Sequence, residues 1–235
     1  MTKTTLLDYQ DGTTLLEGYA AIPAGEKKPV VMVVHDWSGR NEFACETADE
    51  LAKLGYIGFA LDMYGKGRTG QTKEEKIALM SPLMQNRALL QQRMNAALTA
   101  VKQLPQADTA RIAAIGFCFG GLCALDLARS GADINGVVSF HGLLSAPDTP
   151  SKKILAKMLV LHGFDDPMVP PDQVTAFGNE MTALKADWQL HMYSNTMHAF
   201  MNQQANDPGF GTVYQPVTAA RAWRLMEDFL REIFA

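Results

Sequence analysis

Short apolar runs recur along the chain, separated by longer stretches in which apolar and polar positions follow helical spacing. The runs are PVVMVVH at 29–35, IGFALDM at 57–63, RIAAIG at 111–116, GVVSFHG at 136–142, MLVLHG at 158–163 and WQLHMY at 188–193. Most are apolar almost throughout, the pattern of parallel strands covered on both faces. Helical patterns occupy 42–55, 87–104, 121–131, 172–186 and 218–234. Such alternation predicts an α/β fold with a mostly parallel central sheet and helices on both faces. Two strand-like stretches flank QDG within the first 22 residues and predict a leading antiparallel hairpin. There is no internal repeat, low-complexity tract or linker, so one domain over 1–235 is expected. The segment 65–85 is polar and then Met-rich, and is expected to be a mobile cover over a pocket.

Composition narrows the partners. With 235 residues, 47% of them hydrophobic, the chain is long enough to bury one sizeable core. A formal net charge of −4 argues against nucleic acid, whose binders carry a basic face that releases counterions. The N-terminus lacks the basic-then-apolar layout of a secretory signal, and no apolar run approaches a membrane span. A cytoplasmic protein with a small-molecule partner, monomeric or a small homo-oligomer, is expected. Three cysteines, Cys45, Cys118 and Cys123, form neither a CxxC pair nor a metal-spaced cluster, so neither metal nor cofactor is expected.

The chemistry concentrates at GFCFG, residues 116–120. Its form, G-x-nucleophile-x-G between a strand and a helix, is that of a nucleophile elbow with cysteine in place of serine. Glycines at 116 and 120 leave room for a tight turn that lifts the side chain to the carboxyl end of the sheet, where open α/β folds bind ligands. The following helix N-terminus favours thiolate. Cys45 and Cys123 sit within helical apolar patterns and read as small core residues. The same glycines do not form a nucleotide loop, because GFCFGG lacks both G-x-G-x-x-G and a P-loop lysine.

A cysteine nucleophile needs a base, and the base an orienting acid. Asp165 and Asp166 follow one strand and His198 follows the next, in the order nucleophile, acid, base. His35, His141 and His162 also end strand-like runs and His191 lies inside one; chain order favours His198. Either aspartate could instead form the turn before Pro167.

Taken together, HDWSGRNEF, LDMYGKG, GFCFGG, HGFDDPMVP and HAF resemble the dienelactone hydrolase family of α/β-hydrolases, in that family's order and from about residue 14 onward. The resemblance implies a Cys118–His198–Asp166 triad, the acid being selected by Gly163, Asp166, Val169 and Pro170 in G-x-x-D-x-x-V-P. It also implies an oxyanion hole from the backbone N–H groups of Trp37 and Phe119, and a carboxylate at Asp36 able to pair with the resting thiol. Where dienelactone-cleaving members hold a carboxylate with two arginines, this chain has Lys66 and Asn202. Neither reproduces a bidentate fork, so a less polar ester or lactone is expected, with Phe200 among the pocket walls. The expected reaction runs through a thioacyl-enzyme, with phosphotriester hydrolysis as a side activity. Two other classes use the same residues, a non-catalytic hydrolase-like binding protein and a thiol redox sensor at Cys118.

Overall fold

A computed structural model describes all residues, 1–235. The chain divides into two units, Met1–Ile115 and Gly116–Ala235.

The first unit begins with the hairpin, β1 (Thr2–Asp11) and β2 (Thr14–Pro23), paired antiparallel from Thr2↔Pro23 to Asp11↔Thr14. Then come β3 (Lys28–Val34), α1 (Glu42–Lys53), β4 (Ile57–Ala60), α2 (Lys73–Gln85), α3 (Arg87–Lys102) and β5 (Ala107–Phe117), whose last two residues open the second unit. The strand order is β1-β2-β4-β3-β5; β2 meets β4 antiparallel and β3 meets β4 parallel. Val30 to Val34 and Ile57 to Ala60 are buried without interruption, as strands covered on both faces require. Asn41 caps α1 through Ala44 N–H, and Glu42 and Lys53 complement its dipole.

The apolar run at 57–63 is a strand only as far as Ala60. Asp62 ends it, because its buried carboxylate accepts the N–H groups of Tyr64, Gly65, Glu17 and Gly67 at 2.8, 2.9, 3.1 and 2.9 Å. The Tyr9 hydroxyl donates to the Asp62 carbonyl, and the Asp62 N–H donates to the Tyr9 hydroxyl, both at 2.9 Å. The segment 65–85 is this turn followed by a helix. Thr72 and Glu75 form a capping box that starts α2, Asn86 N–H bonds back to Pro82 O, and the Asn86 side chain caps α3. A cleft of about 200 Å³ beside α2 is lined by Tyr64, Arg68, Leu79, Leu83, Leu89 and Arg93 among others.

The second unit carries α4 (Phe119–Arg129), β6 (Gly136–Phe140), β7 (Lys157–Gly163), α5 (Pro171–Ala183), β8 (Trp188–Tyr193), the short ladder β9 (Asn206–Asp207) with β10 (Thr212–Val213), and α6 (Pro216–Ile233). Strands β6, β7 and β8 are adjacent in that order and parallel. Each crossover is the ten residues or more that parallel pairing demands. Phe229 and Ile233 of α6 pack so closely on Gly136 of β6 that a Cβ there would meet them at about 3 Å. Arg129, fully buried, pairs with Asp126 of its own helix at 3.2 Å, ties α4 to α5 through Glu180 at 2.6 Å, and donates to the carbonyls of Leu144 and Ser145. No helix is long and apolar enough to cross a membrane.

Candidate active site

Cys118 stands where β5 turns into α4, at φ 55° and ψ −117°, a combination that a residue with a Cβ rarely adopts. Two glycines make that turn sterically feasible. A Cβ on Gly116 would lie 2.0 Å from Gly120 O, and one on Gly121 would lie 2.5 Å from Ser139 Oγ and 2.7 Å from Gly142 Cα. Both contacts are far below van der Waals distance, so the elbow closes only with glycine at these positions. One glycine of the strand and one of the helix therefore matter, with Gly121 clamping α4 to the end of β6. The Cys118 N–H donates to Phe140 O at 3.0 Å and to His141 Nδ1 at 3.1 Å, which fixes the elbow against β6. The side chain is half-buried, and Phe119 is the first residue of α4.

His198 and Asp166 meet in the same unit. His198 Nδ1 donates to Asp166 Oδ2 at 2.7 Å, and both side chains are almost completely buried. Asp166 Oδ1 also accepts from Met168 N–H at 2.8 Å, so the turn after β7 holds the carboxylate in place. Asp165 is exposed and its N–H donates to Thr196 O, which separates the two aspartates that chain order alone left equivalent. His198 is held by its own backbone: its N–H reaches Gly211 O at 2.9 Å, and its carbonyl accepts from Val213 N–H at 3.0 Å.

His198 Nε2 is buried and makes no hydrogen bond of acceptable geometry. It is nevertheless close enough to Cys118 for the sulfur to act on its charge. Burial is the largest single influence and disfavours the imidazolium, but Cys118 and Asp166 together outweigh it and push His198 up to about 10. These influences describe a coupled pair in which the charged ring faces the sulfur. His198 can thus hold a proton between a carboxylate behind it and a thiol in front.

The sequence reading set aside two further histidines that the structure places beside this group. His141, at the end of β6, packs edge-on to His198 with ring centres 5.1 Å apart. His162, at the end of β7, bonds Val169 O at 3.2 Å and acts electrostatically on both His141 and His198. Burial lowers both below the ordinary histidine range. The strand-end position of His141 in SFHG was the signal available; chain order outranked it.

Other expected site residues fall elsewhere. Phe200 is fully buried, its ring packed against those of His141 and Tyr193. The Asn202 side-chain oxygen accepts Gln204 N–H at 2.9 Å and is spent on its own turn. Lys66, in the first unit, is exposed at φ 51° on the Asp62 turn. In that unit Asp36 Oδ1 accepts Ser38 N–H at 2.7 Å, the behaviour of a turn-forming carboxylate. Trp37 accepts the Tyr64 hydroxyl at its carbonyl, and Lys76 Nζ lies 5.5 Å from its ring.

The fold is that of the α/β-hydrolases. A crystal structure of a dienelactone hydrolase-like promiscuous phosphotriesterase from metagenomic libraries covers all of this chain and 99% of its own, at 33% identity and TM-score 0.94. The model of the dienelactone hydrolase family matches residues 16–234, and the chain belongs to that family. A putative carboxymethylenebutenolidase of Aquifex aeolicus is 26% identical over 233 residues, 96% of this chain and 97% of the relative. A probable 2-oxo-3-(5-oxofuran-2-ylidene)propanoate lactonase of a Bradyrhizobium species is 26% identical over 245 residues, 98% and 96% of the two chains. The protein is accordingly a hydrolase acting on ester bonds.

Proposed function

We propose that the protein cleaves small carboxylic esters or lactones with Cys118 as nucleophile, His198 as proton carrier and Asp166 as its orienting acid. The observation that carries this reading is the 2.7 Å bond from His198 Nδ1 to a buried Asp166, with Nε2 of the same ring left for the sulfur at a strained elbow. The buried carboxylate fixes the tautomer and steadies the imidazolium. The Cys118 sulfur, its proton held on His198, attacks the ester carbonyl; a C–S bond forms and the carbonyl oxygen becomes an oxyanion. Phe119 N–H, at the first position of α4, is one donor to that oxygen. One such donor is worth roughly 3–4 kcal/mol of transition-state stabilisation. Collapse breaks the C–O bond, and the departing alkoxide takes the proton from His198. Water then gives a proton to His198 and attacks the thioacyl carbon; the acid leaves and the thiolate returns.

Lys66 and Asn202, one on an exposed turn and one engaged locally, support an uncharged substrate over a dicarboxylate. The promiscuous phosphotriesterase relative supports a side activity in which the same sulfur attacks phosphorus and expels an aryloxide. The reading of 1–235 as one domain is supported by a family match that runs through both units.

Intact-mass spectrometry during turnover of p-nitrophenyl acetate and butyrate tests the reading. The expected result is an acyl adduct on Cys118 that disappears in Cys118→Ala and clears slowly in His198→Ala. Turnover that survives Cys118→Ala without an adduct would refute the mechanism. Paraoxon cleavage above the Cys118→Ala background would establish the side activity, and cleavage equal to it would remove that activity.

A further inference from the structure

His141 is buried, it packs against His198, and the reaction proposed above does not use it. It sits at φ 38°, a left-handed conformation in which histidine is uncommon and which asparagine tolerates better. Its Nδ1 accepts the Cys118 N–H at 3.1 Å. An accepting Nδ1 puts the hydrogen of the neutral ring on Nε2, and that buried N–H has no partner. The ring is enclosed by His198 at 5.1 Å, Phe200 at 5.0 Å and Phe117 at 6.1 Å between centres. A phenylalanine would fill the same space without stranding a donor, so packing alone does not account for an imidazole here.

We infer that His141 is a positioning residue for the nucleophile: its Nδ1 holds the Cys118 amide, and its uncharged ring, edge-on to His198, leaves His198 as the sole carrier of positive charge beside the sulfur. The inference rests on the reading of Cys118 as nucleophile. The titratable groups around His141 are Cys118 at the elbow, His162 at the end of β7, and His198 with Asp166 behind it. Burial first, and then repulsion from His198, hold His141 well below the ordinary histidine range, so it remains an acceptor while His198 is charged. Were both rings charged, the Cys118 N–H would face a second N–H, and Phe140 O alone would hold the amide.

Histidine-selective 15N NMR on the full chain reads the tautomer directly. The expected result is that His141 stays neutral and protonated on Nε2 from about pH 5 to 9. A proton on Nδ1, or a titration within that range, overturns the inference, and this readout needs no variant to fold. His141→Phe and His141→Asn supply the functional arm, with iodoacetamide alkylation of Cys118 and ester kinetics followed against pH. Loss of one hydrogen bond at the elbow is expected to lower alkylation and kcat about tenfold in His141→Phe, with KM within about twofold. His141→Asn, whose Oδ1 replaces Nδ1 and whose backbone tolerates the φ, should recover most of the loss. Phe and Asn variants that behave alike overturn the positioning role, as does a His141→Phe variant equal to the parent while Cys118→Ala is inactive. Turnover surviving in Cys118→Ala instead removes the catalytic reading, and this inference with it.

Discussion

Asp62 in the first unit and the histidine group in the second are both buried and polar, yet they are provided for in opposite ways. Asp62 has both carboxylate oxygens engaged, two backbone N–H groups on each, and its own N–H and carbonyl are bonded to Tyr9. In the second unit, the buried atoms Ser139 Oγ, His141 Nε2, His162 Nδ1, Tyr193 Oη and His198 Nε2 make no hydrogen bond of acceptable geometry, although His198 lies close enough to Cys118 for the sulfur to act on its charge. Most buried polar groups in proteins are paired, so a concentration of unpaired ones marks a place where stability has not been the governing requirement. Asp62 builds a turn; the histidines leave ring nitrogens unengaged. The difference predicts that damage at the two places will be read by different instruments.

The largest expected effect is at Asp62. Asp62→Ala leaves four backbone N–H groups unpaired and should cost about 4 kcal/mol, lowering Tm by about 10 °C in thermal melts. The pH profile of Cys118 alkylation should not move, and a shifted profile would erase the contrast between the two sites. Next comes Asp166→Asn. A group whose folded pKa is raised contributes stability that is present below its unfolded value, about 6.5 for histidine, and lost as pH rises through the folded value. For His198 that window closes near pH 10, and Asp166 is one of the groups that raise it. Removing the carboxylate should therefore bring the alkaline loss of this stability to lower pH, read as Tm against pH in parent and variant. An unmoved profile would mean that Asp166 only orients the ring. The smallest effect belongs to Ser139→Ala, because a buried hydroxyl without a partner contributes nothing favourable. Urea denaturation should place this variant within about 0.5 kcal/mol of the parent or slightly above it. A loss beyond about 1 kcal/mol would mean that Ser139 is bonded after all.

Much of this was legible in the sequence, for reasons tied to particular elements. WQLHMY at 188–193 coincides with β8, and the continuous apolar runs at 29–35 and 158–163 became strands because double-sided burial demands such runs. The run at 57–63 did not extend through Asp62, since hydropathy cannot register a carboxylate that gathers N–H groups from a distant strand. Helix α4 begins at Phe119, two residues before the pattern suggested: Gly120 and Gly121 are both helical, and Gly121 is there because a side chain would collide with the end of β6. The Met-rich stretch carries no apolar stripe and holds Pro82, and only its capping box, Thr72 with Glu75, announces α2. Chain order brought Cys118, Asp166 and His198 into one group but was silent on His141, whose neighbours come from β5, β6 and the loop after β8. Phe200 had the same difficulty: position beside His198 suggests contact with a substrate, and only packing reveals that the ring supports His141 from within.

The uneven exposure of the three proposed catalytic residues has a practical side. Cys118 is half-buried, whereas His198 and Asp166 are almost entirely enclosed. An electrophile arriving from solvent therefore meets the sulfur before it can meet the ring or the carboxylate. A haloacetamide or vinyl sulfone bearing a reporter group would reach Cys118 and the equally half-buried Cys45, and the difference between parent and Cys118→Ala would count the thiols at the elbow. The same accessibility makes the enzyme poisonable by any soft electrophile or thiophilic metal that shares its surroundings, a vulnerability that a serine at the elbow would largely avoid.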